Sequence, residues 1–175
     1  MTAPPPVVLA IIRALDGLSE WSGKLFAWLI IPMVLALTYE VVARYFFDAP
    51  TVWAYDMTFI LYGSHFMLGI AYTLQRGGHI RTDNFYSRWS VRRQGWVDTV
   101  CYVVFFFPCL VIFFVVTAKF FLVSFNQGER VVTSPWMPII WPLKFVIPLA
   151  IGLLLLQGVS ELVKSVWAAL KGERL

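Results

Sequence analysis

Charge is scarce in this chain. Asp, Glu, Lys and Arg together make up 14% of its 175 residues, against about 25% in a soluble domain. With 59% of residues hydrophobic, a single core of this size cannot hide the apolar surface, so lipid is the implied solvent. Histidine and cysteine are rarer still, at two each. If one helix carried both His65 and His79 they would stand roughly 21 Å apart along it, too far to share a metal or a haem. There is no Cys-x-x-Cys-His haem attachment either. Cys101 and Cys109 fall in one apolar run, about 12 Å apart on a helix, beyond the roughly 7 Å that a disulfide spans. They read as small buried hydrophobes. His79 and Asp83 are spaced like ligands on a helix, but Gly77 and Gly78 favour a turn, and two ligands make a poor metal site. Gly-x-Ser-x-Gly, P-loop and His-Glu-x-x-His motifs are missing, so nothing pairs a nucleophile with a base. No enzyme activity, cofactor, metal or nucleic-acid partner is expected. A basic leader and a small-residue cleavage site are also missing around Pro4-Pro5-Pro6, so the first span is expected to act as its own uncleaved insertion signal.

What is present is a set of long apolar runs. Residues 57–74 contain no Asp, Glu, Lys or Arg. As a helix they would extend about 27 Å, close to the thickness of a bilayer's hydrocarbon core. The run stops at Gln75-Arg76-Gly77-Gly78-His79, a basic turn broken by glycine. The pattern predicts an all-α integral membrane protein, with one four-helix domain over residues 1–175. Its transmembrane helices are expected at about 25–43, 57–74, 97–122 and 136–160, with short amphipathic interfacial helices at about 7–22 and 83–93. In the first amphipathic segment Ile11, Leu15, Leu18 and Trp21 share a face while Arg13, Asp16 and Glu20 face elsewhere, so it is expected to lie in the headgroup layer. In the second, Phe85 and Trp89 share a face flanked by Arg88 and Arg92, the composition of a helix lying flat on anionic phospholipids. Pro32 is expected to bend the first span. Eight Trp, seven Tyr and fifteen Phe suit two membrane interfaces.

Four spans place both ends on one side. That side, with the middle loop, carries Arg13, Lys24, Arg76, Arg81, Arg88, Arg92, Arg93, Lys164, Lys171 and Arg174; the other carries Arg44, Lys119 and Arg130. Ten against three predicts that both termini and the 76–94 loop are cytoplasmic.

Ionisable groups in a membrane are candidates for function. Glu40 and Arg44 are four apart in the favourable order and are expected to pair at the interface. Asp98 reads as a carboxylate near the start of its helix, and Lys119 is expected to snorkel outward. Lys144, about seven residues into the fourth apolar run, is open to two readings, outward snorkelling or contact with a partner subunit. His65, beside Gly63, Ser64 and Gly69, is expected to make one hydrogen bond between helices. Asp56 and Trp53 stand at the start of the second span as a helix-end charge and an interfacial anchor.

Residues 40–83 carry a resemblance. Arg44-Tyr45 ends the first span, and Pro50 and Trp53 precede the second. An acid, Asp56, follows that tryptophan by three. Then come Leu68-Gly69-x-Ala71-Tyr72 and the turn Gly-x-His-Ile-Arg-x-Asp at 77–83. In this order and spacing the chain resembles the small membrane subunit, the DctQ-like small permease, of tripartite ATP-independent periplasmic (TRAP) transporters. Asp56 stands where the family more often has Glu and is expected to keep the charge role. The resemblance implies a three-part machine. A periplasmic binding protein captures an organic acid, and a large membrane subunit moves it inward on a sodium gradient. The small subunit braces the large one. The Gly-Gly-His-Ile-Arg form of the turn looks most like the branch associated with 2-oxo acids, lactate, mannitol-type and chloroaromatic compounds. On this reading Arg44, Trp53 and Asp56 orient the outer end of the second span, and His79, Arg81 and Asp83 fix the cytoplasmic turn. With Glu40, Trp89 and Lys144 they form the expected partner-subunit or interfacial contacts. The alternatives are an autonomous dimeric four-helix proton-coupled exporter or a non-catalytic subunit of a membrane enzyme. The position of Glu40 near the end of its span, with Arg44 beside it, weighs against the exporter.

Overall fold

The computed structural model describes residues 5–78 and 86–173. His79, Arg81 and Asp83 lie outside the described residues. The elements in chain order are α1 (Pro6–Ala27), α2 (Ile30–Phe46), α3 (Ala54–Leu68), α4 (Ile70–Gln75), α5 (Val91–Cys101), a π-helical turn (Tyr102–Phe106), α6 (Phe107–Gln127) and α7 (Trp141–Lys171). Among the described residues, four helical stretches are long and apolar enough to cross a membrane: Pro6–Phe46, Ala54–Gln75, Val91–Gln127 and Trp141–Lys171.

Prolines set the irregularities of this bundle. Pro32 has no N–H to offer the carbonyl of Trp28, and its ring would crowd that oxygen. The Trp28 carbonyl accepts from Ile31 N–H instead, at 3.1 Å, and the helix breaks at Trp28 and Leu29. The expected bend is therefore an elbow between α1 and α2, one turn ahead of the proline. Pro108 poses the same problem to the carbonyl of Val104. Here the helix widens by a residue into the π turn at Tyr102–Phe106 and continues.

Several boundaries differ from the sequence pattern. The third helix starts at Val91 behind an extended Ser90, so Arg92 and Arg93, expected on a flat helix at 83–93, belong to the base of a span. Asp98 is thus two turns inside its helix rather than at its start. The fourth helix starts at Trp141, with Pro142 in its first turn where no N–H is needed, and runs to Lys171. Residues 136–140 belong to the preceding loop. Gly77 and Gly172 take positive φ, 66° and 72°, and end α4 and α7.

α7 is the central post. It packs against α1, α3, α4, α5 and α6. Its closest neighbour is α5 at Gly95, where a Cβ would stand 2.4 Å from the nitrogen of Ala169 and 2.7 Å from the oxygen of Ser165. Only a glycine permits that approach. Arg92 ties the same junction, donating from Nε to the Ala169 carbonyl at 3.1 Å. By contrast, most of α6 is exposed, including Ile112, Phe113 and Val116. Cys101 and Cys109 are exposed too, not buried as expected. They line a groove with Asp98 and Tyr102 on the flank of the third span.

Candidate functional site

Polar side chains gather in two layers at opposite ends of α3–α4. The first surrounds Glu40, the second Asp16.

In the Glu40 layer, α2 ends and α3 begins. Glu40 is buried although Arg44, its partner, is half exposed. One carboxylate oxygen accepts from Arg44, with Nε at 2.9 Å. The other accepts from the Thr51 backbone N–H at 2.9 Å and from the Thr51 hydroxyl. Glu40 therefore closes the 47–53 connection onto α2. Trp53 stacks on Tyr39, with ring centroids 5.7 Å apart and planes at 28°. Asp56, in the first turn of α3, accepts from the Ser134 hydroxyl and so fastens the loop between α6 and α7 to the second span. That loop is held at its base as well. Glu129 pairs with Lys144, whose ammonium lies 3.9 Å from the centre of the Phe120 ring. The Lys144 side chain is buried and its ion pair lies within the chain. Lys144 holds the Glu129 carboxyl below the usual glutamate range, against a smaller desolvation effect.

The Asp16 layer joins α1 to α7. Gln157, fully buried, accepts from Ser19 Oγ at 2.7 Å and donates from Nε2 to Asp16 at 3.0 Å and Glu161 at 3.2 Å. Ser160 donates to Asp16 at 2.7 Å. Lys164 bridges Asp16 and Glu161, each at 2.8 Å. Next to this cluster Glu20 pairs with Lys24 at 2.8 Å and meets Arg76 at 3.6 Å. Gly23 faces Tyr72 so closely that a Cβ would stand 2.6 Å from that side chain. The polar face of α1, expected to look into the headgroup layer, is thus turned onto α7 and α4. The sequence signal for it is a run of Gln157, Ser160, Glu161 and Lys164 at successive spacings of three, one and three, which puts them on one face of a largely apolar helix.

Trp89 lies in the turn ahead of α5, in ring contact with Tyr86 at 6.2 Å and partly exposed. Tyr86 donates its hydroxyl to Asp98. The structure thus joins Glu40 to Arg44, sets Trp53 on Tyr39 and Asp56 on Ser134, places Lys144 in a separate ion pair with Glu129, and leaves Trp89 in the turn ahead of α5. Among the described residues, no group of three or more His, Cys, Asp or Glu side chains is placed to hold a metal. The larger grooves are apolar; one of about 810 Å³ between α6 and α7 is lined by Phe114, Phe121, Phe145 and Gly152.

Paired charges at both ends of four long apolar helices define the class: a multi-pass helical membrane protein whose polar side chains tie its own elements together. The model of one family, the DctQ component of tripartite ATP-independent periplasmic transporters, matches residues 33–167. The chain belongs to that family, and is a small permease subunit of a TRAP transporter. The family implies a large membrane subunit and a periplasmic binding protein as the other parts. No curated protein and no solved structure matches.

Proposed function

We propose that this subunit is a brace, embedded in the inner membrane, that holds the large transport subunit at fixed depth during sodium-coupled uptake of an organic acid. The acid arrives on the periplasmic binding protein, and a 2-oxo acid, lactate or a related carboxylate is the class favoured by the turn at 77–83. The observation that carries this reading is the pairing of charges. Glu40 with Arg44, Lys144 with Glu129, and Asp16 with Lys164 are satisfied within the chain. Ion pairs of this kind fix helices against one another. A carrier would keep an unpaired carboxylate or ammonium near the midplane for cargo.

The brace is proposed to lie with both termini and the 76–94 loop in the cytoplasm, following the excess of Lys and Arg on that side. The Glu40 layer then faces the periplasm, where Arg44, Trp53 and Asp56 shape the surface nearest the binding protein. Arg88, Arg92 and Arg93 meet anionic phospholipids at the other face. His79, Arg81 and Asp83 are proposed to hold the cytoplasmic turn. The alternative of an autonomous exporter needs a free acid in the first span. Glu40 is bonded to Arg44 and Thr51 instead.

Reconstitution tests the proposal. Vesicles holding the large subunit should take up substrate from the loaded binding protein only when this chain is also present. Transport of a solute by this chain alone would overturn it.

A further inference from the structure

One face of α3 has polar atoms where lipid offers them nothing. Ala54–Gln75 extends about 33 Å as a helix, with Asp56 near one end and Arg76 just past the other. Tyr62 and His65 therefore stand near its middle, about 12 and 17 Å from its start. Tyr55, Phe59, Tyr62 and Phe66 follow at intervals of four, three and four, and each is more than half exposed. The opposite side of the helix, with Ala54, Ser64 and Leu68, is buried.

An apolar stripe alone would suit acyl chains. Two atoms here do not. The Tyr62 hydroxyl has no hydrogen-bond partner among the described residues. His65 places Nδ1 3.2 Å from the carbonyl of Phe26. A carbonyl only accepts, so the proton sits on Nδ1 and Nε2 presents a lone pair, also without a partner among the described residues. Polar groups left unmet inside the hydrocarbon are costly, and tyrosine rings otherwise collect at the interfaces. The rings of the patch also pack on one another. Tyr62 packs on Phe66 with centroids 4.7 Å apart, and His65 meets Phe66 edge-on at 5.4 Å. Rings already packed lose little freedom on docking.

We infer that this mid-depth face of α3 is where a transmembrane helix of the large subunit docks, with a Ser, Thr, Asn or Gln side chain meeting the Tyr62 hydroxyl and His65 Nε2. The inference rests on the transporter reading above. Hydrogen bonding between helices supplies both a donor and an acceptor there; a lipid tail supplies neither. The exposed face of α6 at Phe113 and Val116 has no such atoms and is the lipid-facing control.

The test is photocrosslinking in membranes containing the whole transporter. A benzophenone side chain at Phe59 or Phe66 should give at least about tenfold more adduct with the large subunit than one at Phe113 or Val116. Tyr62→Phe should lower recovery of the large subunit by about threefold, the effect of one such bond, with the melting temperature of the isolated chain unchanged. Equal adducts on both faces, adducts mainly from Phe113 and Val116, or adducts with a second copy of this chain would overturn the assignment. If the unmodified chain recovers no large subunit at all, the transporter reading itself has failed.

Discussion

Nδ1 of His65 lies 3.2 Å from the carbonyl oxygen of Phe26, across the elbow between α1 and α2. That oxygen also accepts from Leu29 N–H at 3.1 Å. At this break His65 adds a second hydrogen bond to an oxygen that already has a backbone partner, and so ties α3 to the elbow. His65→Ala should lower the melting temperature in detergent, by the equivalent of about 1 kcal/mol. A Pro32→Ala background, which lets the backbone close on itself, should shrink that loss.

Asp16 holds Gln157, Ser160 and Lys164 at once. Asp16→Ala should leave Gln157 and Lys164 with Glu161 as their remaining acceptor and the buried Ser160 hydroxyl with none, costing about 1–2 kcal/mol. Protease protection of residues 6–27 should fall with it. Asp16→Asn, which keeps an acceptor, should fall between the two.

Gly95 admits the backbone of α7 at a distance no side chain permits. Gly95→Ala should push α5 from α7 and cost about 1–3 kcal/mol, measured as lost thermal stability and lower yield of folded protein. Gly17, which has nothing within 4 Å of its Cβ direction, should accept alanine without loss.

The Glu129 carboxyl, held below its ordinary value by Lys144, gives a stability contribution that is complete above that ordinary value of 4.5. The contribution is lost as pH falls through the lowered one. Protection factors of residues 129–140, which allow for the intrinsic slowing of exchange at lower pH, should therefore fall on acidification. Glu129→Gln should show the lower protection already at neutral pH and abolish that dependence.

Glu40→Gln keeps an acceptor for Thr51 but loses the charge that Arg44 meets. Assembly and uptake by the complete transporter should remain largely intact, with a small loss of thermal stability. Abolished uptake with normal assembly would show that Glu40 does more than hold the 47–53 connection.

Four spans and their order were legible from apolar run length, because lipid demands continuous apolar helix whatever the packing. The Glu40–Arg44 pair was legible because both residues sit on one helix, where spacing alone decides the contact. Lys144 with Glu129 and Asp16 with Gln157 were not, since those pairs join distant segments and spacing within one helix says nothing of them. The start of α5 was misplaced because Arg92 and Arg93 suggested an interfacial segment, while Ser90 and the packing of Gly95 on Ala169 made the helix begin earlier.

The knot around Gln157 also imposes an order on biosynthesis. Asp16 and its amide partner are separated by 141 positions, so at 5–20 residues per second Asp16 waits roughly 7–28 s after its own synthesis for Gln157, although Glu20 on the same helix can meet Arg76 earlier. Through that interval the helix sits in the translocon or the headgroups with a bare carboxylate. The last helix to emerge is thus the one that seals the first, and a chain interrupted before residue 157 would carry an unsealed α1 that quality-control proteases can recognise.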